Sequence, residues 1–264
     1  MNVAFSGGGM AGMYQCGVVG YLYQLCKNDI TKIPYVYGAS AGALSGILFI
    51  YMLYHSNEYT IDTFIDYVNN DLKADSMKHN GYLADTMKEY LELKLPENIH
   101  EIASGKLFVY INVIDNCKIV KKEISQFKSK KHLIDVIYIS MCIPLITTKN
   151  IITPYICPYS EKKYTIAFDG LVPAIDYGKL TDPTIYVDTM IHDYSWKKRL
   201  KVQDEPYEGI VIEGIRDIHS LLQLNQCKKT MYIIDTEQNK KDVKILLYML
   251  LFPFLFLGFS GFFH

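Results

Sequence analysis

Tyr35-Val36-Tyr37-Gly38-Ala39-Ser40-Ala41-Gly42-Ala43-Leu44 passes from an extended apolar segment into a helix-forming one, with a serine at the joint. Ile33 to Tyr37 reads as a strand, and Ala41 to Tyr54, apolar along almost its whole length, as a buried helix. The G-x-S-x-G stretch between them is a strand-to-helix elbow. Gly38 and Gly42 let backbone and helix approach closely, so Ser40 can take a strained conformation that lifts its hydroxyl above the sheet edge. The first N–H groups of the helix aim at the same point and favour negative charge there. An isolated G-x-S-x-G also fits an ordinary glycine-serine helix start, so its surroundings decide the matter.

Upstream, Asn2 to Ser6 reads as a strand, Gly7-Gly8-Gly9-Met10-Ala11-Gly12 as a tight turn, and Met10 to Lys27 as a helix. Two βα units therefore open the chain. Without side chains, Gly7, Gly8 and Gly9 can turn main-chain donors toward an oxyanion, and losing one such donor typically costs about 3 kcal/mol of barrier. The same glycines fit the dinucleotide fingerprint of an oxidoreductase. That alternative needs an acidic residue near the end of the second strand, where Tyr37-Gly38-Ala39-Ser40 stands; Asp29 comes too early.

Downstream, the apolar Tyr164 to Phe168 reads as a strand ending in Asp169-Gly170. Alone, an Asp-Gly pair is most simply a turn. In combination, the chain resembles the patatin-like phospholipase family. Phe5-Ser6-Gly7-Gly8-Gly9-Met10-Ala11-Gly12 resembles its anion-stabilising loop, Gly38-Ala39-Ser40-Ala41-Gly42 its nucleophile elbow, and Phe168-Asp169-Gly170 its dyad motif. Ile139-Ser140-Met141-Cys142-Ile143-Pro144-Leu145 is similar to the segment that precedes the family's aspartate. The landmarks come in family order and cover about residues 1 to 190.

The resemblance implies that Ser40 is the acylated nucleophile, Asp169 the general base of a Ser-Asp dyad, and Gly7, Gly8 and Gly9 the oxyanion hole. Gly38 and Gly42 belong to the elbow, and Gly170 to the dyad motif. Such chemistry needs no cofactor and no metal. Two positions depart from the common pattern: Ala11 stands where many members carry a basic residue, and Leu171 follows Asp169-Gly170. These departures bear on substrate preference, since backbone donors do not depend on a side chain. A Ser, Asp, His order through His192 or His219 is the alternative of an α/β-hydrolase, but such folds place several strands before the elbow and here only one βα unit precedes Ser40. His55, His79, His100 and His132 lie in polar or helical stretches without metal-ligand spacing.

The resemblance and the alternation of β and α segments predict an α/β, three-layer patatin-like fold with a mainly parallel central sheet. The acyl hydrolase domain is expected over residues 1–235, followed by a basic linker over 236–244. Ile245 to Phe263 carries no charge and is dense in Leu and Phe, with Lys240, Lys241 and Lys244 just before it. As a helix it would extend roughly 28 Å, about one hydrocarbon thickness. The expectation is therefore a C-terminal hydrophobic membrane segment over 245–264 that keeps the catalytic domain on the cytoplasmic side, with Pro253 kinking it.

A chain of 264 residues that is 50% hydrophobic can hold one sizeable core plus such a segment. With a formal net charge of −1, no global field draws it to nucleic acid, so the partners expected are a lipid substrate and the membrane surface. Nothing in the sequence fixes the oligomeric state. The cysteines Cys16, Cys26, Cys117, Cys142, Cys157 and Cys227 show no C-x-x-C spacing and fit a reducing compartment, and the first residues read as strand rather than as a cleaved signal peptide.

Further elements follow from pattern. Ile61, Phe64, Ile65, Val68 and Leu72 share a helix face, as do Leu83, Met87, Tyr90 and Leu91. Leu107 to Ile114 and Lys118 to Ile124 read as neighbouring strands about Asp115-Asn116, and His132 to Met141 as a helix. Thr184 to Val187 and Met231 to Ile234 read as late strands, with Asp217 to Cys227 helical. The function expected is a membrane-associated serine lipid acyl hydrolase of phospholipase A or lysophospholipase type. The alternatives are a catalytically silent scaffold of the same fold and the dinucleotide-binding oxidoreductase.

Overall fold

The computed structural model describes residues 1–55, 60–170, 184–189, 207–224 and 230–233. In chain order these form β1 (Asn2–Phe5), α1 (Gly12–Cys26), β2 (Val36–Ala39), α2 (Ala41–Tyr54), α3 (Ile61–Asn70), α4 (Leu72–Lys78), α5 (Leu83–Lys94) and α6 (Ile99–Ala103). Then come β3 (Leu107–Asp115), β4 (Lys118–Ile124), α7 (Lys130–Met141), β5 (Tyr155–Ile156), β6 (Lys163–Tyr164), β7 (Ala167–Asp169), β8 (Thr184–Val187), α8 (Glu208–Leu224) and β9 (Thr230–Ile233). The segment Ile245 to Phe263 lies outside the described residues. Among those described, no helix is long and apolar enough to cross a membrane.

The sheet has seven strands in the order β4-β3-β2-β1-β8-β9, with β7 also paired to β3. Pairs β1/β2, β2/β3, β1/β8 and β8/β9 are parallel, whereas β3/β4 and β3/β7 are antiparallel. Helical crossovers account for the parallel pairs, because a strand must return over the sheet before it can run beside its predecessor in the same direction. The antiparallel β3/β4 hairpin turns at Asn116 and Cys117, both at positive φ (49° and 59°), as a tight two-residue turn demands.

Strand alternation divides the sheet into two faces. Val3, Phe5, Val36, Leu107, Val109, Ile111 and Val187 belong to the main core, which takes in residues of α1, α2, α5 and α7. Ala4, Tyr37, Ala39 and Tyr110 form a second, smaller cluster of strand residues alone. Among the described residues, then, the helices pack on one face, and the third layer of the expected sandwich is not seen. Helix α1 is buried around most of its circumference because α2 lies on one side and α8 on another. At the α1/α8 crossing, a Cβ on Gly17 would stand 2.0 Å from the Val211 carbonyl oxygen. Only a glycine there lets the backbones touch.

Two sequence readings change in the structure. The face of Ile61 to Leu72 belongs to two helices, since α3 ends at Asn70 and Leu72 begins α4. The expected strand Tyr164 to Phe168 is also broken at Thr165. Tyr164 pairs with Tyr155 in the β5/β6 hairpin, while Ala167 to Asp169 pair with β3. Competition between two partners bends the chain there.

Candidate active site

Ser40 sits where β2 ends and α2 begins, with φ 56° and ψ −127°. A non-glycine residue in such a conformation costs on the order of 1–3 kcal/mol and persists only where the surroundings enforce it. Here the enforcement is steric and polar. A Cβ on Gly42 would come within 2.2 Å of the Phe5 carbonyl oxygen, so the start of α2 is pressed against the end of β1. The Ser40 N–H donates to Ser140 Oγ at 2.9 Å, and Ser140 Oγ donates in turn to the Tyr110 carbonyl at 2.6 Å.

Asp169 reaches the same place by a different route. Strand β4 occupies one edge of β3 from Val109 to Asp115, and β2 occupies the other from Leu107 to Tyr110. Strand β7, paired at Ile111 to Val113, therefore fills the edge that β2 leaves when it ends. Ala39 stands opposite Tyr110 and Asp169 opposite Ile111, so the elbow and the end of β7 meet head to head on adjacent positions of one edge. Ile111 points into the main core, and the alternation through Val36 and Gly38 carries Ser40 to that same face. Both residues are buried.

The main chain about Asp169 is held at three points. Its N–H donates to the Cys142 carbonyl at 2.9 Å, its carbonyl accepts from Asn112 Nδ2 at 2.6 Å, and the Gly170 N–H donates to the Ser140 carbonyl at 3.2 Å. Gly170 itself has no room for a side chain, since a Cβ would lie 1.9 Å from the Tyr110 carbonyl oxygen. Ser140, in the last turn of α7, thus touches the backbone of both segments. Its position within the motif that resembles the family was legible; its bridging role was not, because an apolar helix carrying one serine gives no sign of where the hydroxyl points.

Gly7, Gly8 and Gly9 follow β1, beside the elbow. Among the described residues none accepts a hydrogen bond from their N–H groups. Their carbonyls and neighbours are braced instead: Ser6 Oγ donates to Asp188 Oδ1 at 3.0 Å, the Thr189 hydroxyl donates to the Gly7 carbonyl at 2.5 Å, and Gln15 Nε2 donates to the Ser6 carbonyl at 2.6 Å. Ser45 on α2 completes the network by donating to Gln15 Oε1 at 2.8 Å. A loop fixed by its carbonyls keeps its N–H groups in one orientation, which is what a pre-organised anion site requires. Gln15, Ser45, Asp188 and Thr189 were not read from sequence, since each is an unremarkable polar residue until the fold brings them together. Gly38, in β2, faces Phe5 and Val109 in the register.

Beside Ser40 lies an apolar cavity lined by Met10, Met13, Cys16, Leu44, Phe64 and Met87, with Gly9 and Thr147 also in its wall. Burial pushes the Cys16 thiol up to about 12, so this cysteine is an inert part of the wall. On β4, burial brings the Lys121 ammonium down to about 8 while the charge of Asp169 pulls it back up. Lys121 pairs with Asn112, the residue that holds the Asp169 carbonyl. Of the two histidines that could complete a triad, His219 is exposed on α8, where Nδ1 meets the Tyr21 hydroxyl at 2.8 Å. His192 lies outside the described residues.

With this geometry in place, the comparisons with known proteins can be read. A family model described as patatin-like phospholipase matches residues 3–192. The human omega-hydroxyceramide transacylase is 27% identical over 150 residues, 54% of this chain and 27% of that protein. The mouse 1-acylglycerol-3-phosphate O-acyltransferase Pnpla3 is 24% identical over 150 residues, 54% of this chain and 34% of that protein. Mouse patatin-like phospholipase domain-containing protein 2 is 29% identical over 146 residues, again 54% of this chain and 29% of that protein. The chain thus spans about a third or less of the length of these relatives.

Proposed function

The chain belongs to the patatin-like phospholipase family, and on that premise we propose that it is a serine lipid acyl hydrolase that cleaves carboxylic esters of glycerolipids through Ser40 and Asp169. The observation that carries this reading is the register on β3, which sets the elbow and the end of β7 on adjacent positions of one edge beside an apolar cavity. In the first half-reaction Ser40 Oγ forms a bond to the ester carbonyl carbon as its proton passes to the Asp169 carboxylate. The N–H groups of Gly7, Gly8 and Gly9 receive the oxyanion. Collapse breaks the bond to the alcohol, which leaves with the proton held by Asp169. Water then attacks the acyl-enzyme by the same path in reverse, Asp169 taking its proton and Ser40 being released. The cavity takes the acyl chain, whose transfer from water is favourable by about 0.8 kcal/mol per methylene.

Phospholipid is the leading substrate, ahead of lysophospholipid and neutral glyceride. The uncharged stretch Ile245 to Phe263 is the part of the sequence that supports attachment to a membrane, with the hydrolase domain on the cytoplasmic side. A second outcome of the same acyl-enzyme has support in two relatives, one named a transacylase and the other an O-acyltransferase. In that reading a lipid alcohol replaces water as acceptor.

A fluorophosphonate probe tests the proposal. It should label the native protein, and Ser40→Ala should remove the label while the fold, followed by circular dichroism, stays intact. Ser40→Ala and Asp169→Asn should each lower turnover of a glycerolipid ester by a factor on the order of 10³ or more. A folded wild-type protein that takes no label would leave the silent scaffold in its place. Product analysis with a monoacylglycerol acceptor separates hydrolysis, which releases fatty acid, from transfer, which does not.

A further inference from the structure

Between the end of α7 and the start of β7 the chain makes a loop whose ten residues from Ile143 to Ile152 are fastened at both flanks, Cys142 and Thr153, to the strand that carries Asp169. The Asp169 N–H donates to the Cys142 carbonyl at 2.9 Å, and the Ala167 N–H donates to the Thr153 carbonyl at 2.7 Å. The first turn of the loop is fixed as well: the Ile143 N–H donates to the Thr147 hydroxyl at 2.7 Å, and the Thr147 carbonyl accepts from the Ala84 N–H at 2.7 Å. Thr147 lines the cavity beside Ser40, so the loop forms part of the wall of the site.

A loop held this firmly could have kept its apolar side chains inside. Instead Leu145 is 50% exposed, Ile151 45% and Ile152 46%. Leu145 also stands at φ 61°, a left-handed conformation that a leucine rarely adopts, and it displays its side chain to solvent from there. The β5/β6 hairpin next along the chain repeats the pattern. Tyr155 and Tyr164 stack inward with ring centroids 6.1 Å apart, whereas Ile156, 56% exposed, faces outward directly opposite exposed Lys163. From Pro144 to Lys163 the charged residues are Lys149, Lys162 and Lys163 against Glu161. Lys162 is paired with Asp115 of β3 at 2.6 Å, so Lys149 and Lys163 are the cations that face outward, a surplus of one over Glu161. Outward aliphatic side chains with exposed lysines on the same stretch match a lipid layer with anionic headgroups, the apolar tips entering the acyl region and the ammonium groups staying at the phosphates.

We propose that the 144–163 stretch is an interfacial docking face, on which Leu145, Ile151, Ile152 and Ile156 enter an anionic lipid surface while Lys149 and Lys163 meet its headgroups. Docked this way, the loop that supplies Thr147 to the wall of the Ser40 cavity lies against the layer from which a lipid ester must be drawn. The consequence for turnover rests on the acyl-hydrolase reading; the docking itself does not.

The test uses the full chain with its single tryptophan replaced, Trp196→Phe, and one reporter introduced at a time. Ile152→Trp places the reporter on the proposed face, and Leu93→Trp places it at an exposed position on α5. Vesicles of brominated phosphatidylcholine with phosphatidylserine should quench the first reporter strongly and the second little. Because quenching by brominated chains is local, attachment elsewhere on the chain does not produce this difference. Equal quenching at both positions would overturn the proposal.

A second arm reads the consequence. Leu145→Asn, combined with Ile151→Ser and Ile152→Ser, removes the apolar tips, and asparagine is at ease in the left-handed conformation. This variant should hydrolyse vesicle lipid at least about tenfold more slowly, yet match the wild type on a soluble short-chain ester. Equal rates on vesicles would count against the docking face. Loss of soluble-ester hydrolysis in Ser40→Ala, with quenching at position 152 retained, would show that docking and catalysis are separate properties, so that one can fail without the other.

Discussion

Ser40 is held in a costly backbone conformation by groups that were chosen for fit, and this explains why its neighbours are so small. Gly42 and Gly170 each face a carbonyl oxygen at a distance no Cβ could occupy, so the elbow and the end of β7 are pressed against β1 and β3. Strain of this sort is tolerable because it is distributed over backbone hydrogen bonds, with Ser140 serving both segments. Lys121 adds an electrostatic element. Burial lowers its pKa to about 8 and Asp169 opposes that fall, so the two charges favour one another. Removing the cation should raise the proton affinity of the carboxylate. Lys121→Met is therefore expected to move the acidic limb of the pH-rate profile upward, by a few tenths of a unit to about one unit. Well above that limb the variant should approach the wild-type rate. A uniform loss across all pH values would instead indicate a structural role for Lys121. At this scale the sequence showed the chemistry-bearing residues, because elbow, glycine loop and Asp-Gly each have a local signature. It did not show Ser140, Asn112, Gln15 or Asp188, whose significance lies wholly in which backbone group each one meets.

At the scale of elements, what could be read was whatever has a short-range cause. Strand β8 and helix α2 fall where their apolar patterns place them, and the β3/β4 hairpin turns at Asn116-Cys117, one residue beyond the expected Asp115-Asn116 pair, because Asp115 still pairs with Lys118. Helix α8 begins at Glu208, nine residues before the Asp217 expected from pattern, because its first turns are defined by packing on α1. That packing makes a specific demand. Gly17 meets the Val211 carbonyl and Gly214 meets the Tyr14 carbonyl at 2.2 Å from a would-be Cβ, while the Tyr14 hydroxyl donates to Asp217 at 2.8 Å. Close backbone contact and the hydrogen bond depend on the same separation. Gly17→Ala must push α8 away and stretch the Tyr14 contact, an overpacking that costs roughly 1–3 kcal/mol. Thermal unfolding should shift down by about 2–4 °C per kcal/mol for a chain of this size. A melting temperature within a degree of the wild type would mean that the crossing is looser than the structure shows. Gly209, with open space around its Cβ position, provides the control, since Gly209→Ala should cost nothing or stabilise α8 slightly.

For the whole molecule, the sequence indicated the central sheet through its alternation of segments, but the placing of β7 depends on where β2 stops, a relation between strands more than a hundred residues apart. The charge balance is also a property of the whole. Lys and Arg total 27 against 28 Asp and Glu, so no long-range field orients the protein toward an anionic surface, and any attraction must come from local clusters. On the proposed docking face three lysines stand against one glutamate, and with Lys162 paired to Asp115 the local excess is one charge. Each net lysine near an anionic surface contributes about 1 kcal/mol at low salt, and the contribution vanishes as the Debye length contracts to ~3 Å at 1 M. Partitioning onto anionic vesicles should therefore fall by roughly fivefold between 0.05 and 1 M NaCl and then level off, because burial of Leu145, Ile151, Ile152 and Ile156 is not screened. The residual at high salt should drop when Leu145→Asn, Ile151→Ser and Ile152→Ser are combined, and barely change when Lys149→Gln and Lys163→Gln are combined. The lysine variant should act at low salt instead. Binding that disappears altogether at 1 M NaCl would make the attachment electrostatic alone, and the exposed aliphatic side chains of this stretch would then need a different explanation. A residual indifferent to the aliphatic substitutions would place the apolar attachment in Ile245 to Phe263, leaving residues 144–163 to orient the cavity rather than to hold the protein at the surface.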